Sequence, residues 1–227
     1  VFRGQIGGTT QAIYNTQDAV NLARTADATL GSQSEVLGRM RDIAVRAAND
    51  ATLTDADRAR LNAEYQALND ELTRSGEAAT FNTKQLTSAA NPYGTQSVQG
   101  TPDNQPGANP EVTINPSTAA TLGTDVTDVT TGANARAAIS AIDQAMSDVA
   151  NQRSRLGTTE NALNYRANDL EAQHINMSAA NSRIADTDFA MTISELTKGM
   201  LLNRIGISAL SQAKAQAFGV LKLLGAG

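Results

Sequence analysis

Residues 139–156 read ISAIDQAMSDVANQRSRL, and the spacing of the apolar side chains in this stretch decides the fold. Ile139, Ile142, Met146 and Val149 recur at alternating steps of three and four. The same register continues through Arg153, Leu156, Glu160, Leu163, Ala167, Leu170, His174, Met177, Asn181 and Ile184. Three or more sustained heptads argue for a helix that offers one seam to partner helices. At about 1.5 Å per residue such a helix is on the order of 70 Å long, far more than a compact domain of this size needs. The pattern predicts a rod.

Toward the amino terminus a second seam runs through Ala26, Leu30, Gln33, Leu37, Met40, Ala44 and Ala47, broken once by Gln33 and ended by Asn49 and Asp50. Thr54 with Asp57 three residues on fits a helix start, where a hydroxyl accepts from an N–H that has no partner in its own helix. Leu61, Tyr65, Leu68 and Leu72 then form a stripe that stops near Gly76. These two helices are expected to pair across their short loop.

Residues 82–134 hold all five prolines, at 92, 102, 106, 110 and 116, and several glycines, so no helix is expected there. Thr95 to Gln99 and Glu111 to Asn115 alternate in the manner of short hairpin strands, and Thr101 to Asn109 reads as an exposed loop. Beyond residue 186 the seam persists through Phe189, Ile193, Leu196, Met200, Asn203, Ile207, Leu210, Lys214, Ala217, Leu221 and Leu224. Leu201, Leu202, Ile205, Phe218, Val220 and Leu223 add apolar residues on the other faces. A helix apolar on several sides needs several neighbours, and the remaining sequence supplies none for it. It is expected to pack against other copies or a partner.

Composition supports thin paired helices over a globular core: four Phe, four Tyr and no Trp leave few large rings to fill one. A balance of 18 basic against 23 acidic side chains, with no basic run, argues against nucleic acid as a partner. With no cysteine there are no disulfides or thiolate metal sites. No stretch of about 18 apolar residues is present, so membrane insertion is not expected, and Val1-Phe2-Arg3-Gly4 has no cleavable signal pattern.

Catalytic motifs are missing too. Gly7-Gly8 opens no nucleotide-binding turn, and His174 is the one histidine, a seam residue without the further ligands a metal site requires. Asp186 and Asp188 suit the start of the last apolar helix, where negative charge is favourable. Asn176-Met177-Ser178 forms a glycosylation sequon in mid-helix, and the threonines of 124–131 read either as polar loop or as sites for O-linked sugar. Neither an enzyme nor a cofactor-binding protein is expected.

Leu37 to Asn49 (LGRMRDIAVRAAN), Leu61-Asn62-Ala63-Glu64-Tyr65 and Thr80-Phe81-Asn82 resemble the amino-terminal rod helices of bacterial flagellin. Asn181 to Ala190 (NSRIADTDFA), Gly206 to Ala213 (GISALSQA) and Val220 to Leu224 (VLKLL) resemble its carboxyl terminus block by block. The resemblance covers roughly residues 3–87 and 136–224. It implies a mainly α fold: an elongated antiparallel helical rod, a coiled-coil-like bundle, with a small β-hairpin and loop region mid-chain. The corresponding division is 1–87 for the amino-terminal rod helices, 88–134 for a short variable hairpin region, 135–186 for the returning rod helix and 187–227 for a terminal inner-tube helix. The family also carries about fifty residues ahead of the point matching Val1, with a type III export signal, and usually a glycine where Thr83 stands.

The family's function is to polymerise into the extracellular flagellar filament for motility; a hook-filament junction protein and a non-flagellar coiled-coil adaptor are the competing readings. Expected polymerisation contacts are Leu201, Ile205, Leu210, Phe218, Leu221 and Leu224. Expected partners are further flagellin copies, an export chaperone that binds through residues 187–227, and the filament cap and junction proteins. The resemblance also implies recognition by Toll-like receptor five through Arg39, Ile43, Glu64, Ile142 and Met146. In the competing reading Arg39 is a solvated helix residue.

Overall fold

The computed structural model describes residues 2–103 and 109–224, without the side chains of Asp186, Asp188, 217, 218 and 220–224. Its contacts divide into two units, one spanning Arg3–His174 and one running from Ile175 onward, so the division falls twelve residues ahead of the 186/187 boundary expected from sequence.

In the first unit, α1 (Phe2–Ala47) and α2 (Asp55–Ala78) are joined by a short loop. Thr54 caps α2 as its spacing predicts: its hydroxyl accepts from the Asp57 N–H at 3.2 Å, and the Asp57 carboxylate accepts from the Thr54 N–H at 3.3 Å. These reciprocal bonds satisfy two donors that a helix start leaves open. A two-residue hairpin joins β1 (Thr80–Phe81) to β2 (Lys84–Gln85). β3 (Gly94–Ser97) then pairs antiparallel with β4 (Glu111–Ile114), in the register Gly94 to Ile114 through Ser97 to Glu111. A one-turn helix α3 (Ala119–Leu122) ends on Gly123 in the left-handed conformation, and α4 (Gly132–Leu224) follows. The first unit contains α4 through His174.

Surface ion pairs fix the sense of packing. Arg24 meets Glu160 at 2.6 Å, Asp27 meets Arg153 at 2.9 Å, and Arg41 meets Asp143 at 2.7 Å. Partner numbers fall as those of α1 rise, so α1 and this part of α4 run antiparallel. Exposed pairs of this kind set register more than they add stability. Beneath them the core joins Leu30, Leu37 and Met40 of α1, Tyr65 and Leu72 of α2, and Ile142, Val149 and Leu156 of α4.

All seven seam positions of α1 from Ala26 to Ala47 are buried, and the seam extends back through Thr9, Ala12, Thr16, Ala19 and Ala23. Thr9 and Thr16 satisfy their hydroxyls on the carbonyls of Gln5 and Ala12, which lets a polar side chain sit in the seam.

On α4 five of the fourteen expected seam positions are correct: Ile142, Val149, Leu156, Leu163 and Leu170 are buried. The alternate positions need correction. Ala138, Ala145 and Gln152 are buried in place of Ile139, Met146 and Arg153, one residue earlier each time. The small alanines allow helices to approach closely, while Arg153 and Glu160 turn outward to their partners on α1.

Three further expectations are corrected. α4 is continuous in backbone through 186 and 188, so no helix starts there for Asp186 and Asp188 to cap. The proline-bearing stretch contains α3, and α4 begins inside it at Gly132. Thr101 is buried, its hydroxyl donating to the Asp103 carbonyl at 2.6 Å, so the segment from 101 does not start as exposed loop.

Candidate assembly and recognition surfaces

The segment between α2 and α4 is tied to the helices through its own carbonyls. Asn15 Nδ2 donates to the Gln99 carbonyl at 3.0 Å, Arg166 Nε to Gly100 at 3.1 Å, Gln33 Nε2 to Ser117 at 2.9 Å, and Gln152 Nε2 to Asn115 at 2.9 Å. Carbonyls outside regular structure need such donors, and amide and guanidinium side chains on neighbouring helices supply them. Glycines admit the approach. A Cβ on Gly76 would lie 3.0 Å from the Ser117 carbonyl oxygen, and one on Gly8 would lie 3.0 Å from Pro102 Cβ. Sequence reading missed this function of Gly8, Gly76 and Gln33, since a lone Gln or Gly carries no spacing signal of its own.

The threonine cluster belongs to the same framework. Thr124 is buried and donates to Asn69 Oδ1 at 2.9 Å. Thr127 donates to the Thr124 carbonyl at 2.6 Å and lies 2.6 Å from the Tyr65 hydroxyl; Thr130 bonds the Asp128 carboxylate. These bonds hold the Asp128 carboxyl below its ordinary range, with help from Asn134, while burial pushes the Tyr65 phenol up. The polar-loop reading therefore describes these hydroxyls, and Thr124 is closed to sugar attachment in the folded chain.

Of the five residues expected to meet a receptor, three reach the surface. Arg39 and Glu64 face each other across α1 and α2, Nη2 to Oε1 at 2.6 Å, both well exposed. Met146 is half-buried. Ile43 and Ile142 require correction as surface residues: they are 7% and 0% exposed, because they lie on the core side of their helices. A Cβ at Gly38 would meet no atom within 4 Å among the described residues.

In the second unit, Phe189, Met191, Ile193, Leu196, Met200, Leu201, Leu202, Ile205, Ile207 and Leu210 are all exposed large apolar side chains. Of the expected polymerisation contacts, Leu201, Ile205 and Leu210 are in this group; the side chains of Phe218, Leu221 and Leu224 lie outside those described. Exposed large apolar side chains in such number mark an interaction site. Among the described residues no group of three or more His, Cys, Asp or Glu is placed to hold a metal, and His174 is half-buried in α4. No helix is long and apolar enough to cross a membrane among the described residues.

Paired helices drawn from the two ends of the chain, and a later stretch of α4 whose large apolar side chains face solvent, define a structural subunit of the self-associating kind. Comparison with known proteins specifies it. The model of the bacterial flagellin N-terminal helical region matches residues 1–91, and that of the C-terminal helical region matches 139–224. Flagellin of Halalkalibacterium halodurans is 35% identical over 231 residues, covering 98% of this chain and 80% of its own length. Flagellin of Bacillus subtilis is 33% identical over 256 residues, covering 98% of this chain and 83% of its own. The crystal structure of Bacillus cereus flagellin superposes with a TM-score of 0.59 at 32% identity, over 74% of this chain and 94% of that one. This chain belongs to the bacterial flagellin family.

Proposed function

We propose that this chain polymerises as a structural subunit of the flagellar filament and that residues 189–210 supply subunit packing. The observation behind this assignment is the run of solvent-facing apolar side chains, with Phe189 at 70% and Leu210 at 73% exposure. Each Å² covered by a neighbouring subunit returns about 25 cal/mol, so the monomer gains from association what it cannot gain within this stretch. The filament is extracellular. Export through a type III route without a cleaved signal peptide, chaperone binding through residues 187–227, and contact with the cap and junction proteins complete the proposed cycle. Each of these steps involves the same apolar helix or its shielding before assembly.

The test is Leu201→Asp with Ile205→Asp and Leu210→Asp in one chain. Polymer is measured by sedimentation and electron microscopy, and the first unit by thermal unfolding. The parent should form long filaments and the variant none, with the unfolding transition of the first unit unchanged. Filaments of normal length from the variant would remove the assignment.

A further inference from the structure

Between the β1–β2 hairpin and residues 91–96 lies a recess of 620 Å³ that none of the packing described above requires. Its volume falls within the range of about 300–1,000 Å³ typical of small-ligand sites. Several independent features meet at its rim. Lys84 is the one lysine before residue 198, all other cations of that stretch being arginines or His174, and no described carboxylate lies within ion-pair distance of it. Tyr93 and Pro92 supply an apolar wall, Tyr93 half-buried and packed against the core. Asn82 and Thr83 hold φ of 47° and 68°, the described non-glycine residues with positive φ, and Thr83 lines the recess. These angles are those of a tight two-residue hairpin turn, which sets Thr83 and Lys84 at the edge of the recess.

The amides at the rim are oriented in advance. Asn91 Nδ2 donates to Gln85 Oε1 at 3.0 Å, Gln85 Nε2 to the Glu77 carbonyl at 3.2 Å, and Gln96 Nε2 to the Tyr93 carbonyl at 3.1 Å. Asn91 Oδ1 and Gln96 Oε1 are left as acceptors. Fixed acceptors beside an apolar wall suit a sugar ring, whose hydroxyls donate and whose C–H face packs flat on an aromatic. A single ammonium matches a single carboxylate; a phosphate would call for more cations, and a nucleobase for a second ring.

We propose that this recess binds a sugar acid, a pyranose carrying one carboxylate, with Lys84 on the carboxylate and Tyr93 beneath the ring. Binding places an acidic-carbohydrate contact on the hairpin region, separate from the apolar helix used for assembly.

The experiment titrates the monomeric chain with glucuronate and follows backbone amide shifts by NMR, with glucose and acetate as controls. Saturable shifts at residues 83–85 and 91–96 are expected with glucuronate, with a millimolar dissociation constant. Acetate and glucose should each bind about tenfold more weakly or worse, the loss expected from one charge-assisted hydrogen bond or one ring contact. Lys84→Gln, an exposed substitution that leaves the fold intact, should weaken glucuronate by a similar factor, and Tyr93→Ala should remove saturation. Equal affinity for glucuronate in the parent and Lys84→Gln, matching shifts with acetate, or no saturable shift in the parent would each overturn the proposal.

Discussion

Gln33, fully buried at a seam position of α1, donates through Nε2 to the carbonyl of Ser117 at 2.9 Å. The polar break in the heptad is thus an anchor for the chain that crosses α2 at Gly76. Replacing it by Leu restores the apolar repeat yet strands a buried carbonyl, whose desolvation costs about 1–3 kcal/mol. The same change removes Gln33 Oε1, a buried acceptor without a hydrogen-bond partner among the described residues, so Gln33→Leu is expected to destabilise the first unit by only about 1 kcal/mol, read from urea unfolding, even though a heptad rule scores it as an improvement. Unchanged or increased stability would show that the bond does not hold the segment.

The β1–β2 turn makes an opposite prediction. Positive φ at both Asn82 and Thr83 suits the tight two-residue hairpin, but a β-branched residue fits poorly in that region. Thr83 Oγ1 recovers part of the cost by donating to the Asn82 carbonyl at 2.6 Å. Thr83→Gly removes the Cβ clash and that bond together, and should stabilise the chain by about 1 kcal/mol, since a left-handed conformation costs a non-glycine residue about 1–2 kcal/mol. A fall in the unfolding midpoint would mean that the hydroxyl contact outweighs the strain.

Gly132 opens α4 against Asp50, whose carboxylate is held by Arg58 at 2.7 Å and Arg136 at 3.3 Å. A side chain at 132 would overlap that carboxylate. The atoms met are the end of an exposed side chain, so Gly132→Ala should displace the carboxylate from its arginines and cost at most about 1 kcal/mol, partly offset by the better helix propensity of alanine. Because the clash is with Asp50 itself, the pair Gly132→Ala with Asp50→Ala should cost less than the sum of the single changes. Additive costs in that double-mutant cycle would place the effect elsewhere.

How far the fold could be read ahead of the structure follows from the same residues. Large side chains at regular spacing declare themselves, so Leu30, Leu37, Met40, Tyr65, Leu72, Ile142, Val149 and Leu156 were legible as core. Small residues do so only where no larger neighbour competes for the register: Ala26, Ala44 and Ala47 were read as seam, but Ala138 and Ala145 occupy the buried line of α4 while the more hydrophobic Ile139 and Met146 take its edge. Thr9 and Thr16 escaped for a different reason, since a hydroxyl bonded to its own helix is apolar in effect. Surface assignments suffered most. The resemblance carried Ile43 and Ile142 to a recognition face, and only packing shows that they point inward.

Acid should weaken the first unit. Hydrogen bonds from Thr54 hold the Asp57 carboxyl below its ordinary range, those from Thr130 and Asn134 do the same for Asp128, and Arg74 does so for Glu71. A carboxyl depressed on folding contributes stability that is fully present above its unfolded pKa, about 4 for Asp and Glu, and is lost as pH falls through the folded value. Unfolding free energy should therefore decline below about pH 4. Asp128→Asn should flatten that decline while lowering stability at neutral pH. An unaltered slope on the acid side would show that Asp128 is not among the groups responsible.

Of the receptor contacts that the family resemblance implies, Arg39, Glu64 and Met146 reach the surface. Arg39 and Glu64 already pair with each other in the free chain, so a docking protein must either accept the pair as a unit or separate it. The pair is well exposed and contributes little to the fold, which makes its removal a clean probe of recognition. If Arg39 is the anchor, Arg39→Ala should lower affinity for Toll-like receptor five at least about tenfold, the range of a central arginine in an interface. Glu64→Ala should then cost less than Arg39→Ala, because it removes one contact of its own but frees the guanidinium for the partner. Both are measured on monomers at one salt concentration, with circular dichroism to confirm the bundle. Equal affinity for the parent and Arg39→Ala would return Arg39 to a solvated helix residue, and parallel losses in both variants would mean that the receptor reads the ion pair rather than the arginine.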